Sequence, residues 1–350
     1  MGKIYINGRF LTQKMTGIQR FSYELCKALI ANGVEIEILA PRNIRDEYKI
    51  NCPVIRFGIF SGILWEHFDM LFYLVRKKKP LLLSFGSPGP LFYKNRFVTV
   101  HDISFYFHPE WFSKSYGTYY RLITPIYTRI SRKVITVTEF SKSEIKKWLK
   151  IPDEKFIIIN NAVSGNILTD QVFPVANKGK YILTVASMDP RKNLDRVVEA
   201  YEKSNVKKDV KLVLVGKSSS LFNLKISEEI RSNSIGYVPD EQLAALYQGA
   251  ALFVYPSLYE GFGIPPLEAM ALGCPVILSD IPVFREVFGD AAYYVDPLNS
   301  DSIAEGIQKV LSNDNLRNEL IARGLQQAKQ YSWERSAKKL TETIKALACK

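Results

Sequence analysis

The sequence predicts an α/β protein of two domains, each built on a doubly wound parallel sheet. The chain has 350 residues, enough to bury two hydrophobic cores. Short apolar runs of strand length alternate along it with helix-length amphipathic segments, the rhythm of a parallel sheet. Glycine-rich and charged residues follow directly after several of those runs, at the carboxyl ends of strands, where open α/β sheets bind ligands.

In chain order, KIYING is a first strand and GRFLTQKMTGIQRF a loop into the helix FSYELCKALIANG, which Gly33 ends. VEIEILA alternates as a second strand. The missing G-x-G-x-x-G argues against a nicotinamide site. GILWEHFDMLFYLVRKKKP reads as one helix whose apolar and aromatic face is buried rather than set against a membrane. Its RKKK at 76–79 reads as a solvated end that suits the helix dipole. PLLLSFG and RFVTVHD are two central strands, the second ending at His101 and Asp102. SKSYGTYYRLITPIYTRISRK is a basic, Tyr-rich helical stretch interrupted by Pro125, and VITVT is the next strand. FSKSEIKKWLKI is a helix capped by Ser141. KFIIINNAVSG closes the first domain, and the polar, turn-rich residues 164–179 read as a linker.

YILTVAS opens the second α/β unit, followed by MDPRKNLDRVVEAY with Asn193 placed to cap its helix. Arg191 and Lys192 thus stand between a strand end and a helix start, a good diphosphate site. KLVLVG is a further strand, with Gly216 and Lys217 at its end, and SIGYVPDEQLAALYQGA gives a short strand and a helix. The most informative stretch runs from Tyr255 to Asp280. The strand AALFVY leads into a loop of Glu260, Gly261, Phe262 and Gly263, then Ile264 and a helix starting near Pro266. Glu268 is placed in the first turn of that helix. Two carboxylates beside the backbone N–H groups of a helix start suit a ligand that is part sugar and part phosphate. Each signal also has an ordinary reading: a helix-dipole glutamate, a turn glycine, surface cations, or a histidine held at a strand end.

Charge is uneven. Residues 1–150 carry 24 Lys+Arg against 11 Asp+Glu, a net of +13, within a chain whose formal total is +12. An anionic membrane, an anionic substrate or nucleic acid would each answer such a bias. Basic and aromatic residues do interleave, but no nucleic-acid recognition motif accompanies them, so nucleic acid is not expected. Cys26, Cys52, Cys274 and Cys349 lack metal-type spacing and read as reduced thiols in a cytoplasmic protein. No signal peptide is apparent, and the apolar stretch from Phe57 to Val75 is too broken by Glu66, His67 and Asp69 to span a bilayer.

The stretch E-G-F-G-I-P-P-L-E-A-M-A-L-G-C-P-V-I resembles the donor-site signature of the family 4 glycosyltransferases, whose paired glutamates match Glu260 and Glu268. VTVHDISFYFHPEWF, ITVTEFSKSEI and P-R-K-N-L are similar to the same family, with Thr138 where Ser is usual. The resemblance covers nearly the full chain. It implies the GT-B fold, two facing Rossmann-like domains with a central cleft, and a retaining transfer of sugar from a nucleotide donor. It also implies boundaries: an acceptor-binding domain over 1–170 that takes back a terminal helix at 332–350, and a nucleotide-sugar domain over 178–331.

By resemblance, the donor-binding residues are Gly17, Arg191, Lys192, Tyr237, Val238, Glu260, Gly261, Phe262, Gly263, Ile264 and Glu268, and the catalytic ones His101 and Glu260. Arg191 and Lys192 would neutralise the leaving diphosphate, Glu268 grip the ribose, Glu260 the sugar hydroxyls, and Tyr237 and Val238 meet the base through their backbone. Gly17 follows Thr16 where many relatives carry two glycines. No cluster of acidic ligands is apparent, so no metal and no cofactor besides the donor is expected. The expected donor is GDP-mannose or a UDP- or dTDP-hexose. The expected acceptor is a lipid-diphosphate-linked oligosaccharide of O-antigen or capsule synthesis, met at the inner face of the plasma membrane by a peripheral cytoplasmic protein. Two other functions suit the same scaffold, a non-catalytic nucleotide-sugar-binding subunit and a nucleotide-sugar epimerase.

Overall fold

The computed structural model describes residues 3–168, 181–185, 189–216 and 227–348. Lys217, Cys349 and most of the expected linker lie outside the described residues. Cys26, Cys52 and Cys274 are free thiols. The chain divides into two compact units, Met1–Asn161 with Ser332–Lys350, and Ala162–Tyr331. The division falls earlier than the 170–178 expected, and the buried Ala162, Ser164 and Ile167 go with the second unit.

In the first unit the strands are β1 (Ile4–Asn7), β2 (Ile36–Ala40), β3 (Val54–Arg56), β4 (Leu81–Ser84), β5 (Arg96–Thr99), β6 (Lys133–Thr136) and β7 (Phe156–Ile158). They pair in parallel in the order β3-β2-β1-β4-β5-β6-β7. The order reverses between β1 and β4, the switch point at which such sheets open a crevice. The helix Gly17–Ala31 ends at Asn32 and Gly33, whose φ of +72° suits a glycine. Its buried Phe21 packs edge-on to Trp333, so the helix Trp333–Ala348 belongs to this unit.

Three local expectations are corrected here. The segment after β3 is not one α-helix but α (Gly62–Leu64), π (Trp65–Met70) and α (Leu71–Arg76) in succession. It is buried on one face only: Trp65, Met70 and Leu74 enter the core, whereas Leu64, Phe68, Phe72 and Val75 are exposed. Pro125 does not interrupt its helix, which runs through from Lys114 to Ile130. Pro125 cannot donate to the carbonyl of Arg121, and the Tyr106 hydroxyl donates to it instead, at 2.8 Å. The helix Glu139–Leu149 is capped by Thr138, which accepts from the Ser141 N–H at 3.0 Å, so Ser141 is the capped residue and not the cap.

In the second unit the strands are β8 (Tyr181–Val185), β9 (Lys211–Val215), β10 (Ser234–Ile235), β11 (Leu252–Tyr255), β12 (Val276–Ser279) and β13 (Tyr293–Val295). Their order is β10-β9-β8-β11-β12-β13, all parallel, with the switch point between β8 and β11. Ile182, Leu212, Leu252 and Ile277 of the sheet close a core with Val197 and Tyr201 of the helix Leu194–Lys203 and Ile303 and Ile307 of the helix Ser300–Ser312. Among the described residues no helix is long and apolar enough to cross a membrane.

Candidate functional site

The second unit gathers its candidate residues at the switch point. After β8, Asp189 accepts from the Arg191 N–H at 3.1 Å and also pairs with the Arg191 side chain, holding the 3-10 turn Pro190–Lys192. Lys192 reaches across to the end of β11, where its Nζ donates to the Tyr255 hydroxyl at 2.6 Å and to Glu260 Oε1. Ser257 Oγ donates to the same Glu260 oxygen at 2.9 Å, and Ser279 Oγ fixes the Ser257 carbonyl at 2.6 Å. Glu260 and Lys192 therefore form a buried ion pair, with side chains 9% and 12% exposed. Burial pushes the Glu260 carboxyl upward, but the charges of Lys192 and Arg191 overcome this and hold it below the ordinary carboxylate range. Burial also lowers Lys192, against the pull of Glu260.

Asn193 does not cap the following helix as expected. It adopts a left-handed φ of +59°, and its amide donates to the carbonyls of Pro256 and Pro297, at 3.0 and 2.7 Å. That clip ties the loop after β8 to the loops after β11 and β13, so the cations and Glu260 share one scaffold.

The helix after the glycine loop runs Ile264–Ala271, starting ahead of the expected Pro266. Both prolines fall in its first positions, where a missing N–H leaves nothing unsatisfied. Glu268 accordingly sits in the second turn, not the first. It is buried, and its Oε2 accepts from the Tyr247 hydroxyl at 3.2 Å. Because Pro265 and Pro266 offer no N–H, the amides able to face an anion at this start come from the residues before them, Phe262 to Ile264. Gly263 makes the turn with φ +105°, and a Cβ there would stand 2.8 Å from Phe284 Cε1. Phe262 is buried against Tyr331, ring centroids 5.2 Å apart. Beyond β10, Val238 is buried while Tyr237 is 74% exposed.

In the first unit, His101 lies beyond β5. Its Nε2 donates to the Phe85 carbonyl at 3.1 Å, and its ring meets Phe21 edge-on at 4.8 Å. Burial lowers its pKa, which favours the neutral ring with Nδ1 as an acceptor. Gly17 is exposed and opens its helix, whose start carries no side-chain cap from Thr16.

Several participants were not anticipated. Tyr255, Ser257 and Tyr247 fix the two glutamates, yet both tyrosines lie in apolar runs that read as core. A polar network also fills the first unit's switch point. Glu66, 1% exposed, accepts from Asn7 (2.6 Å), Ser87 (2.6 Å) and the Gly89 N–H (3.1 Å), and pairs with Arg9 at 2.7 Å. Asn7 closing β1 before Gly8-Arg9 was the available signal. Among the described residues no three His, Cys, Asp or Glu side chains gather as a metal site.

Residues 15–164 match the family described as Glycosyltransferase Family 4, and residues 168–327 that described as glycosyl transferases group 1. O-antigen chain mannosyltransferase B of Escherichia coli is 35% identical over 279 residues, covering 74% of this chain and 72% of that protein. O-antigen chain mannosyltransferase RfbU of Salmonella typhimurium is 32% identical over 223 residues, 62% of this chain and 61% of that one. Among solved structures, WaaG, a glycosyltransferase involved in lipopolysaccharide biosynthesis, superposes with a TM-score of 0.73 at 17% identity, covering 98% of this chain and 99% of that. Anabaena HepE in complex with UDP-glucose gives 0.75 at 18% identity, with the same coverage. At such identities the structural likeness concerns the fold alone, the GT-B pair of Rossmann-like domains.

Proposed function

Since the chain belongs to the family 4 glycosyltransferases, we propose that it transfers mannose, with retained anomeric configuration, from GDP-mannose to a lipid-diphosphate-linked oligosaccharide of an O-antigen. The observation that carries the donor half of this reading is the buried Lys192–Glu260 pair at the β8–β11 switch point. A lysine ammonium has three N–H bonds, and Tyr255 and Glu260 take two of them. The third serves the diphosphate, whose negative charge grows as the glycosidic bond breaks, in a site dry enough for that contact to count. Arg191 on the adjacent turn adds a second cation, and the amides before Pro265 add dipoles. Glu260 Oε2 is left to orient a sugar hydroxyl, Glu268 accepts from the ribose, and the backbone of Tyr237 and Val238 meets the base. His101, neutral with Nδ1 as acceptor, takes a hydroxyl of the transferred sugar. The sugar identity follows the relatives that bear mannosyltransferase names.

With cations supplied by the chain, turnover requires no divalent metal. The +13 charge of residues 1–150 suits a peripheral position at the inner face of the cytoplasmic membrane, where a lipid-linked acceptor lies. The test is a panel of nucleotide sugars scored for nucleoside diphosphate release, with anomeric analysis of the product, before and after chelation. GDP-mannose is expected to be the best donor. Calorimetry on Glu268→Ala is expected to show nucleotide affinity reduced by roughly 1.5–3 kcal/mol. Equal release from every donor, unchanged affinity in Glu268→Ala, or loss of activity restored only by magnesium would each refute the corresponding part.

A further inference from the structure

The residues from Ile59 to Val75 present a continuous apolar surface that no part of their own unit covers. Ile59 is 87% exposed, and Leu64, Phe68, Phe72 and Val75 lie between 48% and 62%. Leu64, Phe68, Phe72 and Val75 follow one another at helical spacing along about 17 Å of axis, and Ile59 lies in the loop before them. Phe60 packs on Phe68, ring centroids 5.7 Å apart, and extends the surface into the preceding loop.

The protrusion is built, not frayed. Asp69 Oδ2 accepts the N–H groups of both Ile59 and Phe60, at 3.1 and 2.9 Å, and the Trp65 indole donates to the Phe57 carbonyl at 3.0 Å. Trp65, Met70 and Leu74 root the opposite face in the core. These contacts fix Ile59 and Phe60 at the surface, where Ile59 is left almost wholly in solvent.

Charge identifies the occupant. Directly beyond Val75 stand Arg76, Lys77, Lys78 and Lys79, all exposed, with the Arg76 guanidinium over the Phe72 ring at 4.8 Å. The acids within the stretch do not offset them on the surface, because Glu66 is buried and Asp69 is engaged by the loop. A second copy would bring two halves of +13 together, whereas an anionic bilayer offers hydrocarbon for the rings and headgroups for the cations. We propose that Ile59, Phe60, Leu64, Phe68, Phe72 and Val75 enter the interface of an anionic membrane, with residues 76–79 binding its phosphate headgroups. The inference rests on the peripheral-membrane reading above but not on the transferase chemistry.

Flotation of the full chain with vesicles of phosphatidylcholine, alone or mixed with phosphatidylglycerol, tests it. Wild type is expected to float with the mixed vesicles. Phe68→Ser with Phe72→Ser, which leaves the charge unaltered, is expected to reduce partitioning at least tenfold. Lys77→Gln with Lys78→Gln is expected to reduce it about fivefold per charge. Far-UV circular dichroism and nucleotide affinity are expected to stay at wild-type values in both variants, since the altered side chains are exposed. Thus failure of the membrane inference leaves the donor reading standing, and a donor failure leaves flotation intact. Wild-type flotation by the double Phe variant would overturn the proposal, as would no flotation of the wild type. A dimer in sedimentation velocity that the Phe variant abolishes would assign the face to a second copy instead.

Discussion

Glu260→Gln is the sharpest test of the site, since it removes one charge and keeps the shape. In the wild type, Glu260 accepts from Lys192 and Ser257, and among the described residues Lys192 has one other hydrogen-bond partner, the Tyr255 hydroxyl. Breaking a buried ion pair by removing one partner costs about 3–5 kcal/mol. Glutamine keeps a carbonyl that can still accept from Lys192, so the expected loss falls toward the lower end of that range, at about 2–3 kcal/mol. For a unit of this size that lowers Tm by roughly 4–10 °C. All four tryptophans, Trp65, Trp111, Trp148 and Trp333, lie in the first unit, so their fluorescence is blind to this change. Scanning calorimetry should show the second unit's transition moving while the tryptophan transition stays. Lys192→Met alone strands the opposite charge, and the double variant removes both. The three are therefore expected to be non-additive by at least about 1.5 kcal/mol. Additivity within about 0.5 kcal/mol would mean that the pair does not exist in solution, and the electrostatic account of the donor site would fall with it.

Three further outcomes are expected. His101→Ala should lower kcat well beyond any change in nucleotide Kd, read from kinetics and calorimetry on the same protein. The same histidine should make the first unit's stability pH-dependent. Its folded pKa lies below the ordinary 6.5, so its contribution is complete above that value and shrinks as pH falls through the window beneath it. Urea titrations followed by tryptophan fluorescence should show this slope in wild type and a shallower one in His101→Ala, where His67, also lowered by burial in the same unit, keeps part of it. Gly263→Ala should destabilise the second unit by about 1–3 kcal/mol and weaken nucleotide binding, because φ is +105° and Phe284 occupies the space a methyl needs. Tyr106→Phe should cost the first unit about 1 kcal/mol in a urea titration, since it strips the Arg121 carbonyl of the donor that replaces Pro125.

Where the sequence was legible, local signals agreed with global ones. Gly33 and Gly263 hold a positive φ that favours glycine, and the apolar strands are runs whose burial matches their composition. The second unit's cations and glutamate could be placed near one another because strand ends of a parallel sheet converge on one edge. Their pairing was not legible. Lys192 and Glu260 are 68 positions apart, and nothing local says that two opposite charges will neutralise each other rather than both face a ligand. Pro125 misled for a similar reason: a proline normally breaks a helix, and its rescuer, Tyr106, lies on another element. The segment Gly62–Arg76 was misjudged because hydropathy counts apolar residues without saying which face a neighbour covers, and the π-turn at Trp65–Met70 shifts the helical phase.

The discontinuous first unit has a consequence for biosynthesis. The helix Trp333–Ala348 supplies Trp333 against Phe21, and its Ser336 hydroxyl donates to the Asn160 carbonyl at 2.8 Å. The sheet of the first unit therefore leaves the ribosome without the helix that covers it. All of Ala162–Tyr331 must be translated first, which takes on the order of ten seconds or more. The second unit is contiguous and can close as soon as it emerges. The domain made first is thus the last to be finished, and through that interval its apolar surface around Phe21 is open to chaperones or to aggregation.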